Sequence, residues 1–318
     1  MGAPILSRQR LTGFAAETTQ GTAVLQSALV AADFATPVFN SKITNSQPLA
    51  ERQMQGSLSM LAGIPGAPAG KAEFETELFN ATTPPFSSLL LACGFAASSG
   101  VYTPSTGIFQ TATIYKYDGC TGIGGSSPAA TRVLSLAGSM GTFKMSAKVG
   151  QTAKMEWSFD GIYGTSNTAT IPASIVFSTV PPPRVVGITL TVGGVAYVIP
   201  EIEWDLGNKV EMRESVSAPS GYYTAVIVDR KPLFKVSPEA LAFATQNWPA
   251  VFAAGTTLAL DMVIGTVAGN IITIAAPALQ IMKAPEDKDE KEVLYDDIEF
   301  GFVANGSAAD SEYTVTFS

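Results

Sequence analysis

Residues 142–163 read TFKMSAKVGQTAKMEWSFDGIY, and residues 279–302 read LQIMKAPEDKDEKEVLYDDIEFGF. Each stretch is a strand, a polar turn and a second strand carrying aromatic and acidic residues, so the chain holds one β-rich plan twice. Residues 71–80, KAEFETELFN, run through Pro84 and Pro85 into an apolar helix candidate, and residues 222–230, YYTAVIVDR, run through Pro232 and Pro238 into another. The spacing within the two matched pairs differs by about one loop, which is what insertions and deletions produce in a diverged duplication. A repeated β-module without visible catalytic residues points to a building block rather than an enzyme.

Composition bounds the rest. The 318 residues can form two units of roughly 150 residues, each large enough for its own core. A hydrophobic content of 46% with 14% charged residues excludes a disordered chain, and 29 Gly with 20 Pro supply the punctuation of a turn-rich β protein. So few charges also imply that much surface is covered by partners. The net charge of −8 argues against holding nucleic acid by neutralising its phosphates, though not against letting it slide past. Cys93 and Cys120 fall in a helix candidate and a Gly-rich loop without metal-ligand company, and are expected to be free thiols. No charged and apolar leader opens the chain and no run of about 18 apolar residues occurs, so neither export by a signal peptide nor a membrane span is expected.

Along the chain, residues 1–40 lack sustained periodicity and read as an extended arm followed by loop. A first module is expected over 41–164, a connecting segment with Pro181, Pro182 and Pro183 over 165–184, and a second module over 185–318. Residues 71–78 alternate, with Ala72, Phe74, Thr76 and Leu78 on one face and Lys71, Glu73, Glu75 and Glu77 on the other. The same alternation turns Met155, Trp157 and Phe159 inward, with Lys154, Glu156, Ser158 and Asp160 outward. It also sets Ile202, Trp204 and Leu206 against Glu201, Glu203 and Asp205. A short helix is expected over 84–95, stopped by Gly94. A second is expected over 237–255, with Ser237 as N-cap and Pro249 bending or ending it. Gly193 and Gly194 mark a hairpin, and the whole comes to about fourteen strands and two helices.

The absence of His removes the commonest general base, the commonest metal ligand and every Ser-His-Asp or Cys-His arrangement. Glu73, Glu75 and Glu77 share a strand face, which reads as solvated surface rather than a pair of catalytic carboxylates. GCTGIGGSS at 119–127 lacks the Lys-Ser/Thr end of a phosphate loop and is expected to be a turn. EDKDEKE at 286–292 puts Lys291 where a calcium loop needs Gly, so it reads as a charged hairpin tip or a contact with a neighbouring subunit. No catalytic residue, cofactor site or metal site is expected.

LTGFAAETTQGTAV at 11–24 resembles the opening of siphophage major tail proteins, in which a Glu-Thr-Thr-x-Gly-Thr stretch is common. KAEFETELF with the later LLLACGF, IEWDLGNKVEMRESVSAPSGYY at 202–223 and VDRKPLF at 228–234 are similar to segments of the same proteins. The resemblance implies a tail tube protein: all-β with minor α, a β-sandwich or barrel with a flanking helix, here in two tandem copies. Rings of this family commonly contain six such modules, so three chains would present six with pseudo-sixfold symmetry. With EYTVTFS as the last stretch read, the immunoglobulin-like decoration of some relatives is not expected in these 318 residues.

That resemblance carries further expectations. The chain would be made in the host bacterial cytoplasm and reside in the virion tail. Its partners would be other copies of itself, a tape measure protein and a tail terminator, and DNA would pass without specific binding. Glu73, Glu75, Glu77, Glu201, Glu203 and Asp205 are candidates to face the bore, where they would repel phosphates. Arg8 and Arg10 in the arm, with Glu286, Asp287, Asp289 and Glu290 at the acidic tip, are candidates for ring-to-ring contact. The competing reading is a tandem β-sandwich that binds carbohydrate in an adhesin or baseplate. Such sites use exposed aromatic platforms, whereas Trp157 and Trp204 sit in inward positions.

Overall fold

Every second side chain from Gly70 to Leu78 is buried, and the interleaved Lys71, Glu73, Glu75 and Glu77 are partly solvated. That alternation makes the segment a strand with one face in the core. The computed structural model describes residues 5–318 apart from 79–82, 108, 167, 179–180 and 291. The last two residues of the strand expected over 71–80, parts of the expected connecting segment, and Lys291 therefore lie outside the described residues.

The first half contains strands β1 (Arg10–Ala16), β2 (Val38–Asn45), β3 (Leu49–Gln53), β4 (Met60–Pro65) and β5 (Ala69–Glu77), then helix α1 (Ser87–Ala92). It continues with β6 (Phe95–Ser98), β7 (Val101–Pro104), β8 (Ala112–Asp118), β9 (Arg132–Lys148) and β10 (Lys154–Ser166). The second half contains β11 (Thr189–Val192), β12 (Val195–Ala196), β13 (Glu201–Asp205), β14 (Asn208–Glu214), β15 (Tyr222–Arg230) and β16 (Leu233–Val236), then helix α2 (Trp248–Ala254). It ends with β17 (Leu258–Ile264), β18 (Ile272–Ile281), β19 (Glu286–Glu290), β20 (Val293–Phe302) and β21 (Thr314–Phe317).

Strand pairing repeats between the halves. In the first, antiparallel neighbours run β1, β8, β9, β10, β5, β2. In the second they run β11, β17, β18, β20, β16, β13. A two-stranded hairpin, β3–β4 or β14–β15, interrupts each half at the same point in this order. Even a bulge recurs: the register slips between Ala112 and Ile114 on β8, and between Leu258 and Leu260 on β17. The chain is thus all-β with minor α, built as two sandwich-like units.

The halves are joined by pairing, not by a linker alone. Beyond β8, the long β9 continues, and its residues 144–148 pair with Glu201–Asp205 of β13. One 17-stranded sheet results, and it does not close into a barrel within the chain. The core is equally continuous. Phe143 lies 5.2 Å from Trp157 and 5.2 Å from Trp204, which in turn lies 5.1 Å from Tyr313. All four are buried, and burying rings of this size supplies a large share of a domain's stabilisation. A smaller cluster around Phe34, Tyr117 and Cys120 covers the other side of β8.

Several expectations are corrected. Within the N-terminal segment, expected as an extended arm followed by loop, β1 is a strand of the sheet that pairs with β8 along its whole length, burying Leu11 and Phe14. Its apolar residues cover a strand, β8, that is buried on both faces. The second helix spans only Trp248–Ala254. Asn247 caps it by accepting from the Ala250 N–H at 2.9 Å, and Pro249 stands in its first turn, where a missing N–H costs nothing. Ser237 instead bonds Asp297 at 3.1 Å. The structural counterpart of β5 is β16, not residues 222–230, which form the hairpin strand β15. Both cysteines are free and buried. Among the described residues no helix is long and apolar enough to cross a membrane.

Candidate functional site

Registered cross-strand pairs place their side chains on the same face, which allows the polar face of the sheet to be followed from half to half. One row runs from Glu77 to Lys154, Ser146, Glu203, Lys235 and Glu299, each directly opposite the next. A second runs from Glu75 to Glu156, Lys144 and Asp205. The two acidic triplets, Glu73–Glu75–Glu77 and Glu201–Glu203–Asp205, therefore share one face of one sheet, although they are far apart in sequence.

Lysines are set among these carboxylates. Lys71 lies 2.8 Å from Glu73, Lys144 lies 2.9 Å from Asp205, Lys148 lies 3.2 Å from Glu201, and Lys235 lies 3.2 Å from Glu299. The hydrogen bond to Glu73 raises the Lys71 ammonium, and the same bond lowers the Glu73 carboxyl. Lys144 is raised by its hydrogen bond to Asp205, a contact that crosses between the halves. Asp160 moves the other way: burial pushes its carboxyl up, Lys71 opposes this, and Glu73 and Glu211 add to it. Solvent-exposed pairs of this kind each contribute little to stability. Their effect is on the field: Glu156 and Glu203 form no ion pair among the described residues, so the face remains net acidic.

A depression of about 270 Å³ lies between Asn40, Glu75, Lys144 and Glu156. Among the described residues no cluster of His, Cys, Asp and Glu could hold a metal ion. All three tryptophans are buried, so none of them offers the exposed platform that the competing carbohydrate reading would use.

The other six candidates fall elsewhere. Arg8 lies in an exposed turn, and Arg10 opens β1 with its side chain 3.3 Å from Asp118. Glu286, Asp287, Asp289 and Glu290 form β19, which pairs with β20, and Glu286 takes an ion pair from Lys283 at 2.6 Å. The structure does not bring the basic pair and the acidic strand together within one chain.

Reading the sequence placed Glu156, Lys154 and Asp160 outward without grouping them with the triplets; the grouping needs the β9–β13 register. It also missed Glu17. That carboxylate is buried and accepts from Thr111 Oγ1 and Thr113 Oγ1 at 2.6 Å, from Gly138 N at 2.7 Å and from Gly21 N at 2.9 Å. Its only sequence signal was the Glu-Thr-Thr-x-Gly-Thr motif that contains it.

Compared with known proteins, residues 7–318 match the family model described as phage tail tube protein. A comparison with curated proteins gave no match.

Proposed function

Because the chain belongs to the phage tail tube protein family, a structural component of the virion tail that assembles with itself into a tube, we propose that three copies close into a ring of six similar units. Such rings stack into a tube whose bore is lined by the polar face described above. The unbroken row from Glu77 to Glu299 supports this reading most. Its opposite face is committed to the aromatic core, so the polar face is the surface that a curved wall turns toward its bore.

A lining of this composition lets DNA pass. Carboxylates outnumber lysines across the face, so phosphates meet a repulsive field and release no counterions on contact. The interspersed lysines keep that field weak enough for the carboxylates to coexist. In this reading DNA moves through without sequence-specific binding, and the subunit is made in the host cytoplasm before assembly with the other tail components.

Concentrated purified protein viewed by electron microscopy tests the proposal. Hollow tubes whose end-on views show three repeats of a paired unit are expected. A persistent monomer, or a filament without a bore, would overturn it.

A further inference from the structure

We infer that the contact joining the two halves of one chain is repeated between chains: the free edge of β2 pairs antiparallel with β19 of a second copy, and the β3–β4 hairpin lies over β18 and β20 of that copy. The inference rests on the ring-forming reading above and names the surfaces that close the ring.

Register fixes which residues correspond. At the base of the first hairpin Ser46 N donates to Ala69 O at 2.8 Å; at the base of the second, Lys231 N donates to Gly207 O at 3.2 Å. Counting from these pairs, Ile43 opposite Ala72 corresponds to Trp204 opposite Phe234. Likewise Gly141 opposite Phe159 corresponds to Ile281 opposite Phe300. Three residues before those phenylalanines, Glu156 faces Lys144 and Asp297 faces Glu286. So β19, Glu286–Glu290, stands where residues 144–148 of β9 stand in the first half.

In the first half those β9 residues pair with β13. Among the described residues their counterpart β19 pairs only with β20, and the counterpart of β13, which is β2, pairs only with β5. Each chain therefore carries one half of the same junction at either end. An unpaired strand edge is a template for another chain. A head-to-tail contact of this kind generates a ring when its rotation closes.

The hairpins give a second, independent indication. β14–β15 lies on the first half: Asn208 Nδ2 donates to Gly141 O at 2.9 Å, Thr224 Oγ1 donates to Gly138 O at 3.0 Å, and Gly221 lies against Ala67. Among the described residues β3 and β4 pair only with each other, yet Leu49, Met60 and Ile64 on them and Met54 and Leu58 in their turn are exposed. A lone two-stranded hairpin has little stability in water, and apolar residues along one mark an interface. The second half of another copy offers it the seat that the first half offers β14–β15.

Engineered disulfides test the register. Glu203 opposite Ser146 has Lys42 opposite Lys288 as its counterpart, and both pairs lie on the solvated face. The variant K42C/K288C should, on oxidation of assembled protein, give bands of two and three linked chains on a non-reducing gel and none larger, whereas each single variant gives none. The control E203C/S146C should close within one chain, and the buried Cys93 and Cys120 do not compete. Tubes of K42C/K288C that stay unlinked while the control closes would refute the β2–β19 contact and leave the tail tube reading intact. A wild-type chain that never assembles would refute both. For the hairpin, L58D/M60D should leave monomer melting unchanged and abolish tubes; normal tubes from it would overturn that part.

Discussion

The carboxylate of Glu17 accepts a hydrogen bond from the backbone N–H of Gly138 at 2.7 Å, across 121 positions of sequence. Gly138 sits at φ +57° in the bulge of β9, and its carbonyl is taken by Thr224 Oγ1 from the other half. One backbone unit is thus held from both sides, by the N-terminal segment and by the β14–β15 hairpin. Glu17 spends its remaining acceptor capacity on Thr111, Thr113 and Gly21.

All four partners of Glu17 are donors, so an amide in its place would point hydrogens at hydrogens. Glu17→Gln should lower stability by about 1–3 kcal/mol, and Glu17→Ala by more, because buried donors are left unsatisfied. Urea unfolding followed by tryptophan fluorescence reads this directly. An unchanged midpoint for both variants would show that the cluster is not a staple.

Asp118 makes a pH-dependent contribution. Burial pushes its carboxyl up, but hydrogen bonds and charge from Lys116 and Arg132, both at 2.8 Å, outweigh that and hold it below its ordinary value. A carboxyl lowered in the folded state stabilises fully above its unfolded value of about 4, and that contribution is lost as pH falls through the folded value. Wild-type stability should therefore fall below about pH 4. Asp118→Asn should be less stable at pH 7 by about 3 kcal/mol, since Lys116 is left buried and unpaired, and should show a shallower acid limb. Equal acid limbs for the two proteins would remove Asp118 as the cause.

Two of the core tryptophans, Trp157 and Trp204, differ in one hydrogen bond. Trp157 Nε1 donates to the buried Thr76 Oγ1 at 2.9 Å, whereas Trp204 Nε1 has no partner among the described residues. Phenylalanine at either site costs packing, but Trp157→Phe also strands the Thr76 hydroxyl, while Trp204→Phe relieves an unsatisfied N–H. Trp157→Phe should be the more destabilising by roughly 1–3 kcal/mol in thermal or urea unfolding. The reverse order would mean that ring packing at the junction dominates.

How far the sequence reveals this architecture depends on the range of the interactions. The alternation at Lys71–Glu77 and Lys154–Asp160 is local, so strand identity and inward faces are legible, as is the turn at Gly193–Gly194. The β1 strand is not, because RLTGFAA carries no clean period: its burial is set by β8, about a hundred residues on. The second helix is misread because Ser237 followed by Pro238 imitates a start that the true cap, Asn247, supplies ten residues later. Matching residues 71–80 with 222–230 fails for a related reason, since both are strands of similar texture and only the pairing of β16 with β13 and β20 reveals the true counterpart. The polar face itself becomes visible once β9 is seen to run on into β13.

That face gives the sharpest test of function. Glu156 and Glu203 project from it without ion partners among the described residues, each one strand away from Lys144 or Lys235. Substituting surface charges away from buried networks changes stability by no more than about 0.5 kcal/mol. Glu156→Lys with Glu203→Lys should therefore fold and assemble as the wild type does. Where this face lines the bore as proposed, the double variant would also turn a repulsive surface into an attractive one, since each reversal exchanges phosphate repulsion for a contact that releases counterions on binding. Assembled tubes of the double variant should retain DNA at low salt and release it steeply as salt rises, while wild-type tubes retain none. Phage carrying the variant should eject their genomes more slowly. If the variant tubes bind no more DNA than wild type and ejection keeps its rate, this face does not line the bore, and the outer wall becomes its place.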